Sequence, residues 1–240
     1  MSTMKLLTKS RFMIGLQCPV WLWKAVHAPD ELPEPDAEAQ AKFTVGHEVG
    51  ALAQQLYPDG VRMVTDGFKE NLEQAKQWLP RRRTLFEPGF MADGLYARPD
   101  ILVPVGEDEW DLIEVKSGTS AKPQHVYDVA FQKHVCEKAG LKIRSTYLMR
   151  LDNEYVRHGP LDVEALFAKD DITEQVEEFS PELPGLIERQ QEILRLPAPP
   201  EIELVGQCSS YYGCPVHDEL RASLPQGNVF ELYKGKRKAA

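Results

Sequence analysis

The stretch ARPDILVPVGEDEWDLIEVKSG, residues 97–118, decides the fold. Two apolar segments flank the turn GED, so this stretch predicts an antiparallel β-hairpin. Side chains alternate along a strand, which puts Glu114 and Lys116 on one face and points Val115 into the core. Asp100 begins the first strand and is therefore expected to lie beside the end of the second strand.

This end of the hairpin offers oxygen ligands for a hard cation. If Asp100 lies beside Glu114, the two carboxylates and the Val115 carbonyl can bind Mg²⁺ or Mn²⁺. Lys116 would then lie close to an activated water and an attacked phosphate, where the cation and the ammonium neutralise developing charge. The alternative is an exposed hairpin in which Glu and Lys simply alternate.

The sequence around the hairpin favours an α/β core with a central mixed β-sheet flanked by helices. Apolar periodicity and turn residues delimit each element. The predicted elements, in chain order, are a helix over 36–57, a short helix over 72–79, strands over 84–90, 94–105 and 109–116 in an antiparallel meander, a helix over 123–139, a strand over 142–151 and two helices over 161–196.

Composition sets limits on the partners. The chain has 28 Lys+Arg against 37 Asp+Glu, a formal net charge of −9, so DNA binding through bulk charge is excluded and needs a local patch or bound cations. The sequence has neither an apolar run long enough to span a membrane nor a secretory signal, which predicts a cytoplasmic protein without a membrane partner. In that compartment, the four Cys are expected to be thiols or metal ligands.

Pro99-Asp100 and Glu114-Val115-Lys116, on two apolar strands joined by a turn, resemble the motif of the PD-(D/E)XK nuclease superfamily. The resemblance implies a restriction-endonuclease-like core that hydrolyses phosphodiester bonds in DNA with Mg²⁺ or Mn²⁺. Within the superfamily, the chain is similar to the RecB-like branch, which includes the iron–sulfur exonucleases of CRISPR adaptation. That branch implies an exonuclease acting on single-stranded DNA or DNA ends, in DNA repair, recombination or CRISPR-type defence, alongside other DNA-processing proteins.

Three further residues match features of this branch. The resemblance implies that His47 in GHEVG completes the metal shell, and that the Gln132 amide in FQKHV holds a phosphate or a water. Glu87 matches an acid that orients a second metal or a water. The alternatives are a solvated helical His, a surface Gln and a surface Glu. Cys136 occupies the place of a Tyr in the branch, so the role of that Tyr is not carried over.

The cysteines also match the branch, whose members hold a [4Fe–4S] cluster with one N-terminal and three C-terminal Cys. Cys18, Cys208 and Cys214 fit this pattern, but the fourth Cys, expected near Leu220, is missing. Several outcomes stay open: a labile or three-iron cluster, a Cys₃His zinc site with His217, reduced thiols at a vestigial site, or three buried small apolar residues.

We predict a single nuclease-like domain over residues 1–240. Its core is residues 36–196, and segments 1–35 and 197–240 come together as a metal-binding lobe. A local basic groove is needed for DNA, with an aromatic ring available for base stacking. The candidates for DNA contact are Arg81, Arg82, Arg83, Lys122 and Tyr127. The alternative for the arginines is a solvated helix end.

Two other functions compete with the nuclease. One is a non-catalytic nucleic-acid-binding or complex-assembly subunit that retains the fold, which the missing fourth Cys and the Cys at the Tyr position favour. The intact set of Asp100, Glu114 and Lys116 argues against it. The other is a metal-binding scaffold without a role on DNA.

Overall fold

Two β-sheets and the helices around them make up the fold in the computed structural model, which describes residues 5–64, 66–201, 214–222 and 224–228. The strands are β1 (Leu7–Thr8), β2 (Val61–Arg62), β3 (Leu85–Phe86), β4 (Phe90–Ala92), β5 (Leu95–Ala97), β6 (Ile101–Val105), β7 (Glu109–Lys116), β8 (Lys142–Leu151) and β9 (Phe167–Asp171). The helices are α1 (Lys9–Gln17), α2 (Pro19–His27), α3 (Ala37–Gln54), α4 (Phe68–Trp78), α5 (Pro123–Lys138), α6 (Val163–Leu166), α7 (Thr173–Phe179), α8 (Leu183–Arg195) and α9 (His217–Ala222). Short 3₁₀ helices cover Pro29–Glu31 and Leu79–Arg81.

The larger sheet has the strand order β2-β3-β6-β7-β8-β9, and the smaller has the order β1-β5-β4. β6 is antiparallel to both β3 and β7, whereas β7 and β8 are parallel. Parallel neighbours need a crossover, and α5 provides it between β7 and β8. The architecture is therefore mixed α/β with a central mixed sheet flanked by helices, as the sequence predicts.

The hairpin of β6 and β7 forms as expected. Its register pairs Ile101 with Ile113 and Val105 with Glu109. Gly106 begins the turn with φ of 56°, a conformation that glycine adopts at little steric cost. The observed bounds of β7 and β8 coincide with the predicted segments, and α5 ends one residue before the predicted end.

Two predictions about the elements are wrong. Gly94–Val105 is not one strand of a meander, because β5 and β6 belong to different sheets. Pro99 lies between them and has no N–H to continue a ladder. The segment Leu161–Leu196, predicted as two helices, also contains β9, although its sequence FAKDD has weak strand propensity. Pairing with the edge of β8 overrides that local preference.

Helices α3 and α5 cover opposite faces of the larger sheet. Ala53 of α3 packs with Ile101 and Ile113 in a buried apolar cluster. Glu114 follows Ile113 and therefore points to the other face, where Gln132 of α5 contacts it. The end of β7 is thus enclosed by one helix on each face of the sheet.

The described residues divide into two compact units. One contains those within Met1–Met13 and Pro35–Ile187, and the other contains those within Ile14–Glu34 and Glu188–Ala240. All nine strands named above lie in the first unit. In the part of the chain that the structure describes, no helix combines the length and apolar character needed to cross a membrane.

Candidate active site

The site is built where β7 runs past the beginning of β6. β6 starts at Ile101, so beyond Ile113 that edge of β7 has no strand partner within the hairpin. The Asp100 side chain takes this place, and its Oδ2 accepts a hydrogen bond of 2.7 Å from the Val115 N–H. This bond holds Asp100 beside the end of β7, next to Glu114, where the sequence predicts it.

Glu114 lies at the centre of a hydrogen-bonded cluster. Its Oε1 accepts from Lys116 Nζ at 2.6 Å and from Lys9 Nζ at 3.0 Å. Its Oε2 accepts from Gln132 Nε2 at 2.8 Å. Lys116 Nζ also donates to Asp128 Oδ2 at 2.7 Å, so this ammonium bridges two carboxylates. The contact between Glu114 and Lys116 agrees with their predicted position on one face of β7.

The electrostatics follow from three acids and two lysines in a poorly solvated place. Burial, reinforced by repulsion from Glu114, raises the pKa of Asp100 to about 7 and also raises the pKa of Asp128. Burial would raise the pKa of Glu114 too, but the two ammonium groups outweigh it and lower that pKa. For Lys9 and Lys116, burial opposes the charged form, and the neighbouring carboxylates nevertheless raise both pKa values. Both lysines are therefore charged at neutral pH.

A cavity of about 380 Å³ opens beside this cluster. One wall is a face of α3, and the acids at the end of β7 lie opposite. The lining residues are Lys42, Phe43, Gly46, His47, Gly50, Ala51, Gln54, Arg62, Glu87, Arg98, Asp100, Ile101, Glu114 and Val115.

His47 and Glu87 line the same cavity as the acids at the end of β7. Within the described residues, however, no group of three or more His, Cys, Asp or Glu is arranged to hold a metal ion. His47 is thus not brought into one ligand set with Asp100 and Glu114, and its role stays a prediction. The Glu87 N–H donates to the Asp100 carbonyl at 3.0 Å, which places Glu87 next to the cluster.

Gln132 is completely buried, which excludes the alternative of a surface residue. Its Nε2 donates to Asp128 Oδ1 at 3.0 Å as well as to Glu114, so the amide nitrogen is directed at two carboxylates. Its Oε1 is buried and has no hydrogen-bond partner among the described residues. One turn further along α5, Cys136 is also fully buried, and burial raises the pKa of its thiol.

The sequence analysis missed Lys9 and Asp128. Asp128 lies four residues before Gln132, so the spacing of two polar side chains on one face of the predicted helix was an available signal. Lys9 had no such signal, because it is 105 positions from Glu114 in the chain. It is brought to the site by β1, where Leu7 pairs in parallel with Leu95 of β5.

Arg82 is held at the turn end of the hairpin. Its Nη2 donates to the carbonyls of Val105 and Glu109 at 2.9 and 2.7 Å, and its guanidinium lies 4.3 Å from the centre of the Trp110 ring. Five residue steps of β7 separate this end from Glu114, which is about 17 Å. Its predicted contact with DNA stays a prediction.

The other candidates for DNA contact lie in different surroundings. Arg81 stacks on Trp78, with 4.2 Å from its guanidinium carbon to the ring centre. Arg83 Nε donates to the Asp59 carbonyl at 3.1 Å. The two remaining candidates belong to the beginning of α5: Lys122 is the exposed N-cap, and Tyr127 packs its ring against that of Phe179 at 4.4 Å.

Two of the three predicted cysteine ligands come together in the second unit. Cys18 caps α2, and its Sγ accepts a hydrogen bond of 3.5 Å from the Trp21 N–H. Cys214 packs against the small apolar cluster that contains Cys18. His217 begins α9, three residues after Cys214. Cys208 lies outside the described residues, so the structure does not describe the complete ligand set.

Among known proteins, similarity to this chain is found in solved structures. No protein-family model and no curated protein matches the chain. LHK-Exo in complex with dAMP is similar at 14% identity and a TM-score of 0.39, with 80% of this chain and 93% of that chain covered. The alkaline exonuclease LHK-Exo from Laribacter hongkongensis is similar at 14% identity, a TM-score of 0.34 and coverage of 79% and 90%. SSO0001 is similar at 11% identity, a TM-score of 0.33 and coverage of 76% and 78%. TM-scores below 0.5 carry no weight for function, which must be inferred from the residues of this chain.

Proposed function

We propose that the protein is a metal-dependent deoxyribonuclease that hydrolyses phosphodiester bonds of single-stranded DNA or DNA ends. The processes that such an activity serves are DNA repair, recombination or CRISPR-type defence. One observation carries the proposal: Asp100 and Glu114 lie side by side at the end of β7, on a cavity open to solvent, with Lys116 bonded to Glu114. This is the residue set that the sequence motif predicts.

The donor set fits Mg²⁺ or Mn²⁺. Asp100 and Glu114 repel each other, and a divalent cation between them would relieve the repulsion that raises the pKa of Asp100. Mg²⁺ is commonly held by one or two carboxylates and completes its shell with water and substrate phosphate, so two carboxylates and the Val115 carbonyl suffice. A cation bound there supplies Lewis-acid chemistry, lowering the pKa of a water molecule and neutralising charge on the phosphate oxygens.

The residues of the chain orient this set and add positive charge. Lys116 is fixed between Glu114 and Asp128, which keeps its ammonium beside the proposed metal ligands, and its role in the proposal is to stabilise negative charge that develops on the phosphate. Gln132 fixes the Glu114 carboxylate from the face covered by α5. Lys9 also bonds to Glu114 and reduces the repulsion among the acids. We assign Gln132 and Lys9 to positioning, because each of them acts through Glu114.

The test is the release of nucleotides from end-labelled single-stranded DNA with Mn²⁺ or Mg²⁺. We expect release by the wild-type protein and a loss on the order of 10²–10³-fold in Lys116→Ala. Lys142→Ala is the matched control, since Lys142 of β8 lies beside Glu109, at the opposite end of β7, and pairs with Asp108 at the surface. Equal activity of Lys116→Ala and wild type would contradict the proposal. Retention of DNA without cation-dependent cleavage would select the non-catalytic subunit instead.

For the second unit, we propose that Cys18, Cys208 and Cys214 hold iron or zinc. The proximity of Cys18 and Cys214 supports this, as does the N–H donated to Cys18 Sγ, because thiolates at metal sites accept such bonds. Metal analysis and visible absorption of the purified protein test it, with absorption distinguishing an iron–sulfur cluster from colourless zinc. We expect Cys18→Ser to lose the metal and Cys136→Ala to retain it. Wild-type protein without stoichiometric iron or zinc would refute it.

A further inference from the structure

The wall of the cavity opposite the acids is one face of α3. Phe43, Gly46, His47 and Gly50 follow each other at intervals of three, one and three residues, so they lie on the same side of the helix. Ala53, seven residues after Gly46 and near the C-terminal end of α3, continues this side of the helix and packs on the sheet. Before Ala53, the same side of α3 lines the cavity.

This wall contains two glycines, Gly46 and Gly50, at positions where neighbouring atoms leave room for a side chain. A Cβ added at Gly46 or at Gly50 would meet no atom within 4 Å. Glycine is the poorest helix former after proline, so two glycines in the middle of an 18-residue helix weaken it. Close approach of the backbone to a ligand is a recognised reason for such a residue. Open space at both positions leaves the α3 backbone accessible from the cavity.

Phe43 stands beside these glycines with its ring largely in solvent. It is 61% exposed, the second-highest value among the exposed large apolar residues of the described chain. It lies one helical turn before His47, on the same cavity. An aromatic ring exposed beside a charged site offers a flat surface on which a nucleic-acid base can stack.

Basic side chains surround the mouth of the same cavity. Lys42 and Arg62 both line it, and their side chains are 73% and 55% exposed. Lys42 pairs with the exposed Glu38, one turn away on α3, and Arg62 Nη1 lies 3.7 Å from Glu87 Oε2. Exposed cations near an aromatic ring are the combination with which proteins bind single-stranded DNA, because phosphates and bases are contacted together.

We propose that Phe43, Gly46, Gly50, Lys42 and Arg62 form a binding site for the nucleotide next to the cleaved bond in single-stranded DNA. Phe43 stacks on the base, the two glycines let the sugar approach α3, and the two cations contact phosphates. The base must leave a duplex stack to reach Phe43, and a cavity of about 380 Å³ has the size of a small-molecule pocket rather than a duplex groove. This assignment rests on the proposed nuclease function, which defines the cleaved bond.

The experiment measures binding separately from cleavage. The affinity for a labelled phosphorothioate oligodeoxythymidylate, which resists hydrolysis, is measured by fluorescence anisotropy with Mg²⁺. An oligonucleotide of equal length without bases is measured alongside. We expect Phe43→Ala to weaken binding of the first ligand by roughly 5- to 150-fold, the range for one stacked base, and to leave binding of the second unchanged. Phe43→Trp should retain the affinity.

Val45→Ala is the matched control, because Val45 is also exposed on α3 but does not line the cavity. Equal affinity of Phe43→Ala and wild type would overturn the assignment, as would absence of binding by the wild-type protein. An equal loss with the base-free ligand would also overturn it, since stacking needs a base. Phe43-dependent binding by a protein that does not cleave ordinary DNA would support the site and contradict the nuclease.

Discussion

The two ends of the hairpin of β6 and β7 both carry charged residues, but they use them differently. At the turn end, the guanidinium of Arg82 is paired with backbone carbonyls and covers the ring of Trp110. At the open end, Asp100 and Glu114 crowd together in a poorly solvated place with two lysines. The interaction partners therefore differ. Arg82 is bound by neutral backbone carbonyls at the turn end, whereas Asp100 and Glu114 lie among other buried charges at the open end.

We infer from this difference that the turn end stabilises the fold and that the open end is suited to catalysis. The neutral carbonyls that accept from Arg82 hold the turn, so these hydrogen bonds serve the structure of the hairpin. When its three acids are ionised, the open end has one negative charge more than its two lysines can balance, and a divalent cation can neutralise it. Buried carboxylates with displaced pKa values are typical of functional sites. Substitutions at the two ends should therefore change different properties of the protein.

The largest effect is expected at the open end, from Asp100→Asn. The change removes one of the two carboxylates proposed to hold the cation, so cleavage should fall on the order of 10²–10³-fold at fixed Mg²⁺. Thermal unfolding gives a second measurement. Mg²⁺ at 100 times its dissociation constant should stabilise the wild type by about 2.7 kcal/mol, and the variant at the same concentration by much less. An unchanged stabilisation would show that the cation binds elsewhere.

A smaller effect is expected from Asp128→Asn. Lys116 keeps Glu114 but loses its second carboxylate, so kcat should fall roughly 10–100-fold with little change in KM. Steady-state cleavage of single-stranded DNA measures both constants. Glu137→Gln, an exposed position on the same helix, is the control and should have no effect. A change in KM alone would instead indicate that Asp128 affects DNA binding.

Lys9→Gln tests whether both lysines act through one carboxylate. We expect a loss similar to that in Asp128→Asn, because the ammonium no longer supports Glu114. The double variant of Lys9 and Asp128 should lose less than the product of the single losses, because Lys9 Nζ lies 3.6 Å from Asp128 Oδ1 and residues in contact are coupled. A strictly multiplicative loss would mean that the two positions are independent.

At the turn end, Arg82→Ala should lower stability and leave cleavage unchanged. Removing the guanidinium leaves the carbonyls of Val105 and Glu109 without this donor, which costs about 1–3 kcal/mol in the free energy of unfolding. Urea denaturation measures this cost. The alternative is that Arg82 contacts a DNA phosphate, and the salt dependence of DNA binding tests it. Loss of one phosphate contact would reduce the slope of log affinity against log salt by about 0.7.

Arg81→Ala should have the smallest effect. Arg81 stacks on the ring of Trp78, and a cation–π contact at the surface contributes roughly 0.5–1 kcal/mol. The same denaturation experiment measures it beside Arg82→Ala. If Arg81→Ala lowered the free energy of unfolding as much as Arg82→Ala, the hydrogen bonds from Arg82 to backbone carbonyls would not explain the greater cost expected for Arg82→Ala.

The sequence predicts the parts of the site that depend on short-range pattern. Alternation along β7 places Glu114 and Lys116 on one face, and the turn brings Asp100 beside them. The four-residue spacing of Phe43 and His47 puts both on one side of α3, and both line the cavity. In each case the relevant neighbours are close in the chain, or joined by one turn.

The parts that could not be predicted depend on long-range pairing. Lys9 reaches the site because a two-residue strand, β1, pairs with β5, and two residues give no periodic signal. β9 forms because β8 offers an edge, although FAKDD has weak strand propensity. The separation of β5 from β6 requires knowing that each strand finds a partner in a different sheet.

The pairing of β1 with β5 makes residues 7–9 part of the candidate active site. Removing residues up to Thr8 would delete β1, and with it the anchor that directs Lys9 toward Glu114. Trimming a chain end is usually regarded as harmless to an enzyme. We expect a protein without these residues to fold around the larger sheet and still lose the proposed activity, as an active-site mutant does. Low activity of a shortened or N-terminally fused variant should therefore be attributed first to a displaced Lys9.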